Sequence, residues 1–123
     1  MATITDVRTI SIDVSDQDRA LAFFTDTLGF EKRLDAPTSP TTRWIEVAPP
    51  GASTSIALNA TDANDVGTDT GIRFTAPDAS SARASMADAG VAVGELLQWP
   101  DVPSMFAFDD PDGNRFYIIE DRS

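Results

Sequence analysis

The stretch Val14-Ser-Asp-Gln-Asp-Arg-Ala-Leu-Ala-Phe-Phe-Thr-Asp-Thr-Leu-Gly-Phe30 holds a strand end, a capped helix and a glycine stop in unbroken succession. Upstream, Ile10, Ile12 and Val14 alternate with Thr9, Ser11 and Asp13, the period of a strand with one apolar face, expected over residues 7–14. Ser15 stands at the N-cap position, with Asp18 three residues on as a capping-box partner near the positive helix end. Ala20, Phe23, Phe24, Thr27 and Leu28 recur at helical spacing, and Gly29 supplies the C-terminal stop.

The same order returns half a chain later. Ile72 and Phe74 alternate with Arg73 and Thr75, Pro77-Asp78 opens a helix with Ala82, Met86 and Ala89 on its buried side, and Gly90 ends it. Asp16 aligns with Asp78 and Ala20 with Ala82, a constant offset of 62 residues. Short strand candidates follow each helix, at 31–34, 42–47 and 53–59 in the first half and at 91–97, 104–108 and 115–119 in the second. The sharpest turn signal is Asp109-Asp-Pro-Asp-Gly-Asn114, where Asp112-Gly113 provides positive-φ geometry. Its oxygens suggest calcium only superficially, because no EF-hand spacing follows. The reading is one α+β domain over residues 1–123. Two βαβββ modules in tandem, about 1–60 and 71–123, are joined by the polar linker 61–70.

Alternate side chains on a strand point to opposite faces. A helix must cover the apolar face, which takes Ile10, Ile12, Val14, Ile45, Val47, Ile56, Leu58, Ile72, Phe74, Phe116 and Ile118. The opposite face then carries Thr9, Ser11, Asp13, Trp44, Glu46, Ser55, Ala57, Asn59, Arg73, Thr75, Arg115, Tyr117 and Ile119. An exposed sheet face gives the same polar alternation. Two such faces in a duplicated module, with Trp44 and Tyr117 among them, favour a cavity.

Composition narrows the function classes. A chain of 123 residues suits one domain, and its 41% apolar content is that of a globular protein. There is no apolar run long enough for a bilayer and no basic-then-apolar leader, so no membrane partner is expected and a cytoplasmic setting is the default. Neither cysteine nor histidine is present, which removes disulfides, thiol nucleophiles and imidazole chemistry. The net charge of −11, with Lys32 the only lysine, repels phosphate backbones and argues against nucleic-acid binding. Acidic, lysine-poor composition also serves as plain solvation.

The two quoted segments, Val14 to Phe30 and Asp110-Pro-Asp-Gly-Asn-Arg-Phe-Tyr-Ile-Ile-Glu120, resemble the glyoxalase/bleomycin-resistance/extradiol-dioxygenase superfamily, the vicinal oxygen chelate proteins. That resemblance implies mixed sheets curled around a central cleft. It also implies four ligand positions for a divalent metal in the members that use one. Mapped onto this chain they are Thr9, Ala57, Gly71 and Tyr117, none of which binds a hard or borderline cation as the family does. Glu120 lies three residues from Tyr117 and so points to the opposite face. The expectation is no metal and no cofactor.

Two classes of function follow. The first is a metal-independent small-molecule binder, like the family's drug-sequestering members, which resemble dimers with grooves built from both chains. A homodimer is therefore expected. The site candidates are Thr9, Ser11, Asp13, Trp44, Glu46, Arg73, Trp99, Phe106, Arg115 and Tyr117, with Trp44, Trp99, Phe106 and Tyr117 as stacking surfaces. Trp99 fits either a cavity lid or simple packing. Glu46 and Asp13 suit a ligand cation, while Arg73 and Arg115 suit those acids or a ligand carboxylate. The second class is a lyase, isomerase or dioxygenase-like enzyme, resting on an inward carboxylate or a metal site of another kind. Glu46 or Asp13 would be its base, with Tyr117 or an arginine as electrophilic support.

Overall fold

The structure is a computed structural model that describes residues 2–121. The chain divides into two compact units, the first ending at Asp65 and the second starting at Val66. In the first unit β1 (Thr9–Val14) leads into α1 (Gln17–Ala22) and a π-helical turn (Phe23–Thr27), followed by β2 (Glu31–Pro37), β3 (Arg43–Ala48) and β4 (Ser55–Ala60). The second unit repeats the order with β5 (Asp69–Ala76), α2 (Ala79–Asp88), β6 (Ala92–Val93), β7 (Met105–Asp109) and β8 (Arg115–Glu120). The sheets run β1-β4-β3-β2 and β5-β8-β7-β6, with the first and last strand of each unit paired in parallel and the remaining pairs antiparallel. These are two βαβββ modules of the expected α+β class.

Both helices start on the same device. Asp16 (φ −142°, ψ 107°) accepts from the Arg19 backbone N–H, and Asp78 (φ −140°, ψ 106°) accepts from that of Ser81. The offset of 62 residues is thus an equivalence of caps. Ser15 is not the cap; its hydroxyl accepts from the Arg19 guanidinium at 3.1 Å. Asp18 serves no capping box either, and pairs with Arg43 at 2.8 Å. Beyond Ala22 the π-helical turn shifts the helical register, with Leu28 N–H donating to the Phe23 carbonyl at 3.1 Å, so Phe24 is fully buried while Thr27 is exposed.

Gln17 clamps α1 to its sheet. Its amide nitrogen donates to the Arg43 and Leu58 carbonyls at 2.6 and 2.8 Å, and its oxygen accepts from Arg43 N–H at 3.2 Å. Under α1 lie Ile12, Val14, Ile45, Val47, Ile56 and Leu58, all buried as the alternation requires. Ile10 is the exception, 38% exposed near the outer end of an edge strand. In the second unit Phe74, Phe108 and Phe116 stack with ring centroids 5.3–6.2 Å apart. Ala79 is the buried residue of α2, whereas Ala89, expected inside, caps the helix and is exposed.

Two loops differ from expectation. The strand expected over 91–97 contracts to Ala92–Val93 plus a bridge between Leu97 and Met105, and beyond Val93 the Gly94 carbonyl accepts from the Arg83 guanidinium at 2.7 Å. The expected linker is shorter than 61–70, since a 3₁₀ turn covers Ala63–Asp65 and β5 begins at Asp69. The Asp110–Asn114 turn closes on itself. Asp110 accepts from the backbone N–H groups of Asp112 and Asn114, both at 2.9 Å, and from the Asn114 amide at 3.0 Å. Asn114 is fully buried and accepts from the N–H groups of Gly67 and Thr68, tying the start of the unit to the turn. A Cβ at Gly67 (φ +93°) would sit 3.2 Å from the Asp112 carbonyl, which favours glycine there on two counts.

Asp16→Ala and Asp78→Ala each remove one cap bond of matching geometry. Each should lower unfolding free energy by about 1 kcal/mol, as measured by urea denaturation.

Candidate ligand-binding site

In the first unit the face turned away from α1 is organised by Glu46. This residue sits on β3 between Leu34 on β2 and Ala57 on β4, and is only 4% exposed although it belongs to the polar face. A buried carboxylate needs donors. Ser55 Oγ donates at 2.6 Å, Trp44 Nε1 at 2.7 Å, and Arg8 Nη2 at 3.1 Å to the oxygen that the indole also touches. The Ser55 hydroxyl first, then the Trp44 indole, hold the Glu46 carboxyl below the ordinary glutamate range; burial opposes this and Arg8 adds to it. Trp44 itself remains 38% exposed. With its N–H consumed, it offers a ring and no donor.

Beside this clamp lies a hollow of about 220 Å³ lined by Arg8, Arg33, Leu34, Glu46, Ser53 and Ser55. Arg33 reaches it because β2 changes register between Lys32 and Leu34, leaving Arg33 as an extra residue with no partner on β3. The rest of β1 is hydrogen-bonded along the same face. Thr9 donates to the Ser55 carbonyl at 3.1 Å, Asp13 accepts from the Asn59 amide at 2.9 Å, and Ser11 lies opposite Ala57.

The second unit brings together Arg73, Tyr117 and Arg115. Arg73 and Tyr117 are direct neighbours across β5 and β8, and the Arg73 guanidinium lies 4.6 Å from the centre of the Tyr117 ring. The Tyr117 hydroxyl donates to Asp69, which lowers the Asp69 carboxyl pKa and raises that of the phenol. Arg115 pairs with Asp109 at 3.0 Å. Two candidates stand apart from this cluster. Phe106 is fully buried; it pairs with Ile118 on the strand face that also holds Phe108 and Phe116, so it is core and presents no stacking surface. Trp99 lies in the loop before β7, 52% exposed and close in sequence to the equally exposed Val102.

Three contributors escaped the sequence reading. Arg8 precedes the alternating run, Arg33 is placed by a bulge without a sequence signature, and Asp69 sits in the expected linker. None carried a usable signal: strict alternation puts Arg8 on the face of Ile10, opposite Thr9.

The donor set does not fit the family's divalent metal. Thr9 uses its hydroxyl on Ser55, Ala57 offers a methyl group, Gly71 is a positive-φ residue within an irregularity of β5, and Tyr117 is held by Asp69. Among the described residues no three carboxylates are grouped to hold a metal ion.

The family model of the Glyoxalase/Bleomycin resistance protein/Dioxygenase superfamily matches residues 7–118. The chain belongs to this superfamily. A superfamily member from Sphaerobacter thermophilus DSM 20745 is 36% identical, with a TM-score of 0.88 over 96% of this chain and 98% of that one. TnmS3, an antibiotic binding protein from Streptomyces sp. CB03234, is 32% identical, with a TM-score of 0.86 over 98% of both chains. YetH of Bacillus subtilis (strain 168) is 31% identical over 122 residues, which are 95% of this chain and 99% of YetH. Within this superfamily the present chain keeps the modules and carries other side chains where a metal would be held. No helix among the described residues is long and apolar enough to cross a membrane.

Glu46→Ala would strand Trp44 Nε1 and turn Ser55 Oγ to the longer contact with Thr9 Oγ1 at 3.0 Å, at a cost of about 2 kcal/mol at neutral pH. A carboxyl whose folded pKa is depressed contributes stability above its unfolded pKa, and loses it as pH falls through the folded value. The deficit of Glu46→Ala should therefore shrink in acid, as read by urea melts stepped from neutral pH downward. Separately, adding Zn²⁺, Ni²⁺ or Mn²⁺ should leave the melting temperature unchanged in calorimetry.

Proposed function

We propose that this chain is a metal-independent binding protein for a planar small molecule, acting in drug or metabolite sequestration. The observation that carries this reading is the Glu46 clamp. It fixes an exposed tryptophan by its only polar atom, leaving the ring face as a preorganised stacking surface. The 32% identity to TnmS3, an antibiotic binding protein, supports the same class of ligand. The enzymatic reading has less behind it. Glu46 is held ionised by three donors and is a weak base, while Tyr117 is a phenol made harder to ionise.

The chain works as a homodimer in this reading. Each four-stranded sheet ends in edge strands, β1 and β2 in one and β5 and β6 in the other, and association is a common way to cover such edges. The charge of −11 per chain opposes association at low ionic strength. Light scattering in moderate salt should return twice the monomer mass; the monomer mass would remove the claim.

A thermal-shift screen against a library of planar aromatic natural products tests the binding itself. Hits should quench Trp44 emission saturably in a Trp99→Phe background, and should lose their stabilising effect in Trp44→Ala. A library without one saturable hit would count decisively against sequestration.

A further inference from the structure

We infer that the hollow beside Glu46 is an anion subsite, built to take the carboxylate of an aromatic acid whose ring lies on Trp44. The inference rests on the proposed binding function and assigns its ligand a charge. It stands on three observations.

The first is the balance of charge in the hollow. Two guanidiniums, Arg8 and Arg33, line it against one carboxylate, Glu46, in a chain whose net charge is −11. The second is how each charge is used. Glu46 is saturated by Ser55, Trp44 and Arg8, so no ligand cation can claim it without breaking the clamp. Arg8 spends a single nitrogen on Glu46, since both contacts, at 3.1 and 3.4 Å, run through Nη2. Among the described residues its guanidinium makes no other hydrogen bond, and its side chain is 75% exposed. Arg33 is anchored by the carbonyls of Ala52 and Pro49, which orient a guanidinium without neutralising it; among the described residues the exposed Glu31, at 3.6 Å, is the one carboxylate within ion-pair distance of it.

The third observation is continuity. Glu46 forms part of the hollow's wall and also holds the Trp44 indole at 2.7 Å, so one carboxylate fixes both the stacking ring and the cationic edge. Guanidinium recognises carboxylate through paired N–H donors, and the hydroxyl of Ser53 adds a neutral donor in the same wall. The cations of the second unit are less suited. Arg115 is paired with Asp109, and Arg73 donates to the Gly71 carbonyl while lying over Tyr117.

The test uses 2-naphthoate and its uncharged counterpart 2-naphthamide, titrated into the full chain. Binding is followed by the Trp44 indole N–H signal in a nitrogen–proton correlation spectrum, which the two tryptophans of the sequence keep simple. In the wild-type protein naphthoate should bind at least about tenfold tighter than naphthamide, a difference of about 1.4 kcal/mol. Arg8→Ala should bring that ratio to within about twofold of unity, and Arg8→Lys should restore part of it, because charge returns without the paired donors. Arg19→Ala makes the same change in net charge away from the hollow and should keep the wild-type ratio. Equal affinities in the wild-type protein, a ratio that survives Arg8→Ala, or equal losses in Arg8→Ala and Arg19→Ala would overturn the subsite. Naphthamide binding without a naphthoate preference would sink the subsite and leave the binding function standing. Failure of both compounds would also sink the subsite, and the natural-product screen alone decides the binding function.

Discussion

A parallel pair of strands cannot be closed by a tight turn, and both units of this protein are built around such a pair. The return from β1 to its neighbour β4 needs a crossover, and the capped helix supplies the first part of it. Once that helix lies on one face, the apolar residues of β1, β3 and β4 must turn toward it. Apart from Arg43, which pairs with Asp18 of α1, what is polar on those strands is left on the other face. The surface on which the binding proposal rests is therefore a by-product of the connection that makes the fold. Gln17 makes the dependence concrete, because one buried amide pins the helix to the backbone of both β3 and β4.

The strand faces were legible because period two is a local property that a single turn of sequence displays. Ile45 and Val47 under the helix, with Trp44 and Glu46 opposite, needed only alternation and one helix to set the sign. The cap differs from expectation by one residue because Ser15 and Asp16 are both good caps, and the extended backbone of Asp16 with its bond from Arg19 N–H distinguishes them. Phe106 was misjudged differently. It was chosen for its aromatic ring, while the parity of β7 against β8 pairs it with Ile118 and places it in the core. Arg33 was beyond reach, since a bulge is set by how two strands meet and neither strand announces it.

The repeat also shows how one architecture yields two different surfaces. Equivalent antiparallel neighbours are Glu46 with Ala57 in the first unit and Ala107 with Tyr117 in the second. Each pair sets one large side chain against one small one, and the assignment is reversed between units. Where the last strand carries a methyl group, the third strand can hold a carboxylate upright and bring Ser55, Trp44 and Arg8 to it. Where the last strand carries a phenol, the third strand must stay small, and the polar work passes to the parallel neighbour Arg73 and to Asp69.

That reversal bears on why the residues of neither surface fit the family's metal. A cation ligand must project an imidazole, thiolate or carboxylate from the strand, and Ala57 and Tyr117 occupy their positions as filler and as platform. Replacing Ala57 by a larger ligating residue would place two long side chains side by side, with Glu46 already committed to three donors. The clamp and a metal ligand at position 57 thus compete for the same space on the sheet. In this chain the clamp occupies it, and in the proposed binding role two of the donors that satisfy Glu46 would also meet the ligand: an indole face and a guanidinium edge.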